Sequence, residues 1–341
     1  MRSTFIQYFR PTREELETVW RDGLFAFDAS VLLNVYGYSD ETRKELVRFV
    51  ERNRTRVRLT HQFAFEYARN RCNVIVRQIS NYTKMEQELK QIEIKYLTPK
   101  RDHPFLSADS MRGYAAILHE LAERRRQIEN LIASDPYADR LLSVFDAKVG
   151  PAPSPEELAE LHRVAAERYA RQIPPGYADQ ANKAPPDCYG DFIGWRQLIT
   201  LAKAEQKQVI FVIDDFKGDW WQIEQGRMIG PRPELLDEFS RESNQRVYLY
   251  TSERFLQVAT EMKVAEISPA VLAEISQRLE SRRQTQLEGD TADMSAEKMV
   301  VASGDPTVTA AEKNTSSPKS VPVVRDTEEK AKVTPAPEAR E

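Results

Sequence analysis

Cysteine and histidine are both scarce in this chain, with two cysteines and four histidines among 341 residues. Cys72 and Cys188 stand far apart and neither belongs to a CxxC pair, which argues against a zinc ribbon or a disulfide framework and fits a reducing compartment. His61, His103, His119 and His162 show no HxxxH or HExxH spacing, so each reads as a surface or core residue rather than a metal ligand. No apolar run approaches the roughly 18 residues that span a bilayer. The first residues, MRSTFIQYFRPTREEL, carry no apolar signal-peptide core, so a cytoplasmic protein without membrane association is expected. Charge of one sign is lacking as well. The total is −4, of which residues 283–341 hold −3, eight basic against eleven acidic side chains, leaving the body near −1. A near-neutral body neither demands nor excludes a nucleic-acid partner, because a local basic face decides that. Aromatic residues are missing beyond Glu288, where Ser, Thr, Ala, Pro, Glu and Lys dominate and cannot bury enough surface to order the chain.

What is present is organised around Val209 to Trp221, VIFVIDDFKGDWW. Five uninterrupted apolar residues, Val209 to Ile213, read as a strand covered on both faces in a parallel sheet, and the run stops on Asp214 and Asp215. Adjacent carboxylates at the end of a buried strand repel each other and lose solvation, so donors or a cation are expected to hold them. In open α/β sheets, sites form at the carboxyl ends of strands. A second strand, Leu24 to Phe27, runs into Asp28, although one aspartate after a strand is also an ordinary helix N-cap. Two shorter strands are expected at Val57 to Leu59 and Val247 to Tyr250.

Between them the chain reads as helices. Pro11 and Thr12 open one through Trp20, and Asp40 is the expected cap of another that stops near Asn53. After Thr60 a long helical pattern begins, with Glu66 near its start and Phe63, Tyr67, Val74, Ile79 and Tyr82 on one face. Ser107 caps a helix to Ile132, Asp135 and Pro136 open one through Phe145, and Ser154-Pro155-Glu156-Glu157 forms a capping-box start to a helix ending near Gln172. Residues 73–173 therefore read as a helical insertion. The run Arg124 to Arg126 reads as a solvated helix face, with phosphate contact as the minor alternative. A loop rich in Pro and Gly follows, carrying Asp179 and Lys183. Asp187 is the expected cap of the next helix, with Asp191 one turn inside. A loop with Gly226, Gly230 and Pro231 leads to a helix near Glu234 to Glu242, Ser252 caps another, and a last one covers about Pro269 to Arg283.

Strand ends and following helix starts share one rim of a parallel sheet, which brings Asp28, Glu66, Asp191, Asp214 and Asp215 together. Singly, each has a structural explanation. Jointly, an all-oxygen cluster without His or Cys is what hard divalent ions bind, which points to Mg²⁺ or Mn²⁺ and to hydrolysis at phosphorus.

Four motifs, FDASVLLNVY at Phe27 to Tyr36, FEYARNR at Phe65 to Arg71, YGDFIGW at Tyr189 to Trp195 and VIDDFKGDWW at Val212 to Trp221, together resemble a PIN-domain nuclease. They are most similar to the larger PIN-like proteins in which a helical segment separates the second acid from the third. The resemblance covers roughly residues 20 to 260 and implies an α/β/α sandwich with a central parallel sheet. It further implies a Mg²⁺ or Mn²⁺ site at Asp28, Glu66, Asp191 and Asp215, with Asp214 an additional catalytic candidate and RNA the substrate, DNA remaining open. The chain departs from the pattern at Ile213, where many relatives carry a hydroxyl residue. The division that follows is a PIN-like domain over 20–265 interrupted by the insertion 73–173, a C-terminal helix over 266–287 and a disordered tail over 288–341. Lys183 and Lys217 are candidates to steady a substrate phosphate, and Trp220 and Trp221 are candidates to stack on a base or to anchor the packing. The expected activity is that of a metal-dependent endoribonuclease. Two alternatives are a haloacid-dehalogenase-like phosphatase, weakened by Ser30 standing where that family places its second acid, and a non-catalytic PIN-like module that binds RNA or a protein, with the helical insertion as its interface. No motif bears on the oligomeric state.

Overall fold

Short apolar runs that end on a polar turn residue become the strands. In the computed structural model, which describes residues 1–2, 4–97 and 106–284, β1 (Leu24–Phe27), β2 (Val57–Arg58), β3 (Val209–Val212) and β6 (Val247–Tyr250) form one parallel sheet in the order β2-β1-β3-β6. β1 and β3 are buried at every residue, the mark of a sheet covered on both faces. Their register pairs Phe27 with Val212, which brings Asp28 and Ile213 level at the carboxyl rim. The backbone N–H of Asp28 donates to the Val212 carbonyl at 2.9 Å, extending the ladder to the edge of the site.

Helices flank both faces. On one, Phe25 packs against Trp20 of α1 (Arg13–Asp22), Phe49 of α3 (Asp40–Arg52) and Phe255 of α10 (Ser252–Glu261). On the other, the Phe211 ring stacks on Phe63 of α4 (His61–Ile92), with centroids 5.5 Å apart, and lies against Trp220. Each of these buried aromatics stabilises the fold by roughly 1.5–3 kcal/mol relative to exposure. α2 (Ala29–Asn34) follows β1 directly, and α8 (Gly190–Glu205) precedes β3.

The helical stretch expected as an insertion divides in two. α4 and α5 (Ala108–Ala133) form a long antiparallel pair, tied by Arg125, whose guanidinium meets Glu86 at 3.0 Å. α6 (Pro136–Phe145) instead joins the main core, where Leu141, Val144 and Phe145 are buried, and the chain beyond it bridges Leu59 through Val149. α7 (Pro155–Ala170) begins at the expected capping box, with Ser154 and Glu157 bonded reciprocally. No helix among the described residues is long and apolar enough to cross a membrane.

Four local readings are corrected. Ser39, not Asp40, caps α3, because its hydroxyl rather than the Asp40 carboxylate accepts the Thr42 N–H. Thr251 caps α10, which frees the Ser252 hydroxyl for another partner. Asp187 does not cap α8; the Pro185-Pro186 pair leads into a 3-10 turn over Asp187–Tyr189, and the helix starts at Gly190 with no side-chain cap. The loop after Trp221 is a hairpin, β4 (Trp221–Glu224) and β5 (Arg227–Pro231), closed by Gln225 and Gly226. Both turn residues have positive φ, +50° and +74°, as a two-residue turn matching strand twist requires. α9 (Pro233–Ser243) follows, and α11 covers 269–284. The expected disordered tail, 288–341, lies outside the described residues.

One packing contact fixes the position of α8 against α4. An added Cβ at Gly194 would lie 2.2 Å from the Phe63 ring, and one at Gly190 2.2 Å from Glu66 Oε1. Four residues apart, the two glycines share one helix face and let α8 approach α4 closely. Gly194→Ala should therefore lower stability by about 1–3 kcal/mol by overpacking against Phe63. Chemical denaturation would measure it, and an unchanged midpoint would show that Phe63 moves aside freely.

Candidate functional site

Each acid reaches the rim by a separate local device. Asp28 caps α2, accepting the Ser30 N–H at 2.7 Å, so the ordinary capping role and a place at the rim coexist in one side chain. Glu66 lies in the second turn of α4, after Thr60 caps that helix, and accepts from Gln62 Nε2 at 2.7 Å. Asp191 sits in the first turn of α8, where Trp220 Nε1 donates to its Oδ2 at 3.2 Å. Asp215 follows β3 and accepts the Lys217 backbone N–H at 3.1 Å.

Four of the five expected acids fall within one electrostatic neighbourhood. Burial, then Glu66, then Asp215 push the Asp28 carboxyl up to about 7 against its own turn hydrogen bonds to Ser30. Burial also raises Asp191 well above the ordinary carboxylate range, with Asp179, Asp215 and Asp28 adding to it and Lys217 opposing. Glu66 is raised chiefly by burial, with Asp179 contributing and Gln62, Lys183 and Lys217 opposing.

Asp214 turns away from this group. It is 1 % exposed and bonded from three directions, by Asn34 Nδ2 at 2.8 Å, the Ser252 N–H at 2.8 Å and the Ser252 hydroxyl at 2.5 Å. Its own N–H donates to Ser30 Oγ at 3.3 Å. Two hydroxyls, from Ser30 on α2 and Ser252 on α10, thus meet Asp214 at the strand end. The carboxylate of Asp214 fastens the strand end to those helices, and Asn34 in turn receives Arg282 from α11.

Two further acids belong to the neighbourhood. Asp179, 4 % exposed in a 3-10 turn (Tyr177–Ala181), pairs with Lys183 at 2.6 Å and with Lys217. Burial works against its charge, but Lys217 and Lys183 outweigh that and hold it below the usual range. Asp219 is fully buried and clamps the loop under Asp179, one carboxylate oxygen accepting from Gly176 N at 2.9 Å and Ala178 N at 3.0 Å. Its other oxygen has no hydrogen-bond partner among the described residues. Asp179 was visible in sequence only as a loop residue. The signal for Asp219 was its position in the run Asp214 to Trp221, five residues after the strand-ending pair.

The expected phosphate contacts, Lys183 and Lys217, are both turned onto carboxylates. Lys217 Nζ lies 2.6 Å from Asp215 and 3.8 Å from Asp191 and also contacts Asp179. Burial disfavours its charge, and Asp191, Asp215 and Asp179 overcome that and raise it. Trp220 and Trp221 are buried and are packing anchors: Trp220 meets Trp195 edge-on, and Trp221 Nε1 donates to the Asp215 carbonyl at 2.5 Å.

Among the described residues no three His, Cys, Asp or Glu side chains stand close enough to hold a metal ion in this arrangement. The chemistry of the donors nevertheless fits a hard divalent cation. They are all carboxylates, their negative charge exceeds that of the two lysines, and Asp219 keeps one buried oxygen unpartnered among the described residues. Asp28, Glu66, Asp191 and Asp215 are the residues that would hold it. Without such an ion the sign of the pH effect is fixed. A carboxyl with a folded pKa of about 7 and an ordinary unfolded value makes the fold lose stability as pH rises between the two, by up to about 4 kcal/mol for Asp28. Thermal melts in chelator should show the midpoint falling from pH 5 to pH 8, with a smaller fall in Asp28→Asn. Equal slopes in the two proteins would remove Asp28 as a source of the effect.

No curated protein and no solved structure matches the chain significantly. The family model described as a PIN like domain matches residues 24–235, a span that holds Asp28, Glu66, Asp179, Asp191, Asp215, Lys217 and Asp219. With a four-stranded parallel sheet and this acidic rim inside the matched span, the chain belongs to the PIN-like domain family, a nuclease-type family.

Proposed function

We propose that this protein is a metal-dependent endoribonuclease that hydrolyses RNA phosphodiester bonds at the rim formed by Asp28, Glu66, Asp191 and Asp215. The observation that carries the reading is the convergence of these four acids, from three helices and a strand end, in a domain of this family. When bound there, Mg²⁺ or Mn²⁺ supplies Lewis acidity that lowers the pKa of water and neutralises phosphate charge. Asp28, Asp191 and Asp215 would hold it. Glu66, on a different helix, completes the set or accepts a hydrogen bond from the attacking water and so orients it. Lys217 pairs with Asp215, and Lys183 pairs with the neighbouring Asp179; both lysines are the candidates to steady a substrate phosphate. Trp220 keeps Asp191 in one orientation, and Asp214 holds the end of the strand that carries Asp215. The cysteines are unpaired, which supports action in a reducing, cytoplasmic setting.

Purified protein should degrade single-stranded RNA with Mn²⁺ or Mg²⁺ and stop in chelator, with a DNA of the same sequence run alongside to settle which polymer is cut. Removing a group that merely orients a metal ligand costs about 10–100-fold, so Asp28→Asn, Asp191→Asn and Asp215→Asn, each folded, should lose more than about 100-fold. Folded variants with full metal-dependent activity would end the assignment. A chain inert on every nucleic acid would support the non-catalytic module. Asp214→Ala separates the roles of the adjacent pair. It leaves the buried Asn34 and Ser252 donors unpartnered, so its main effect should be a loss of stability of about 1–3 kcal/mol per unsatisfied group, read in denaturation. A stable, inactive Asp214→Ala would instead make Asp214 part of the chemistry.

A further inference from the structure

We propose that Lys217 is a built-in counter-cation that occupies the acidic rim in competition with the divalent ion, so that metal enters only as the lysine withdraws. The inference rests on the reading of the rim as a metal site. Lys217 projects from the loop after β3 into the middle of the cluster, its Nζ 2.6 Å from Asp215, 3.8 Å from Asp191 and in contact with Asp179. Its side chain is 20 % exposed, so water screens these contacts weakly. The carboxylates are arranged around an ammonium, and the described residues hold no ready three-donor group for an ion. A divalent ion needs oxygens at about 2.0–2.6 Å, at the place where the Lys217 charge now sits. Two cations cannot share those oxygens without strong repulsion.

Lys217 also has a second seat. Asp179 lies on a loop fixed independently by Asp219, through the N–H groups of Gly176 and Ala178, and Gly176 adopts φ +91°, a conformation suited to glycine. A Cβ there would also meet the Tyr169 hydroxyl at 2.2 Å and Asp191 Cβ at 2.9 Å. Asp179 therefore stays in place when the other acids are claimed, and it retains Lys217 beside the rim, where the ammonium can meet a phosphate oxygen. Phosphate that draws Lys217 outward favours metal entry, and by reciprocity metal favours phosphate binding.

The test is Mn²⁺ binding by calorimetry and electron paramagnetic resonance, without nucleic acid, on full-length protein. Lys217→Met should bind Mn²⁺ at least about tenfold more tightly than wild type, within the usual range of coupling between sites. Lys217→Arg, which keeps the charge, should stay near wild type. Unchanged or weaker binding by folded Lys217→Met overturns the proposal. Should that variant fail to fold, wild-type protein still decides: acylation of Lys217 by an amine-directed reagent, mapped by mass spectrometry, should increase when Mn²⁺ is added. Labelling that stays constant at saturating Mn²⁺ overturns it. Wild-type binding that Asp191→Asn and Asp215→Asn leave untouched would instead remove the metal-site reading beneath it.

Discussion

Removing a carboxylate from water costs several kcal/mol unless an opposite charge or a set of donors compensates, and this chain does so repeatedly within one rim. Asp28, Glu66 and Asp191 are all raised by burial first and then by nearby carboxylates, Asp179 acting on both Glu66 and Asp191, and Asp219 is raised by burial in the same neighbourhood. Lys183 and Lys217 supply the nearby positive charge, and both are engaged by Asp179. Asp179 is consequently the acid held below the ordinary range while its neighbours are pushed up. The rest of the domain can be understood as the scaffold that holds this unfavourable arrangement in place.

That scaffold must be stiff. The Phe63 and Phe211 rings stack between α4 and β3, joining the helix that carries Glu66 to the strand that ends near Asp215. Gly190 and Gly194 let α8 seat Asp191 against that same helix. Trp220 and Trp221 close the floor, each spending its indole N–H on the site, one on the Asp191 carboxylate and the other on the Asp215 carbonyl. Asp214 ties the strand end to α2 and α10, and through Asn34 to α11. Neighbouring residues in the motif thus divide the labour. Asp215 faces the lysine and the other acids, while Asp214, its hydrogen bonds satisfied, anchors the backbone.

The helical region between the second and third acids contributes in two ways. Its long α4 and α5 pair extends along its own contact, tied by Arg125 and Glu86. α6 belongs to the main core, and Asp135 at its cap joins Tyr36 at 2.7 Å and Arg71 at 2.6 Å, linking α6 to α4 and to the segment after α2. Glu66 and Arg71 lie on the same helix, so this buried network also steadies the helix that presents the second acid.

Much of this was legible in the sequence, because strands, caps and the carboxyl rim follow from local patterns. Leu24 to Phe27 and Val209 to Val212 announce themselves as buried strands, Ser154 with Glu157 as a helix start, and a parallel sheet brings their ends to one side. Local pattern failed where neighbours compete for one role. Ser39 beside Asp40 and Thr251 beside Ser252 are equally good caps on paper, and the structure engages Asp40 with Tyr137 and Ser252 with Asp214 while Ser39 and Thr251 cap the helices. The sequence by itself marked strand ends and helix starts, and so singled out Asp28, Glu66, Asp191 and Asp215, but it set Asp214 among them and passed over Asp179 and Asp219. Only the tertiary structure decided how the gathered charges are apportioned. Which carboxylate faces which ammonium depends on distances of a few ångströms between residues as far apart as Asp28, Asp179 and Lys217, and Coulomb energy in a buried site changes steeply over that range.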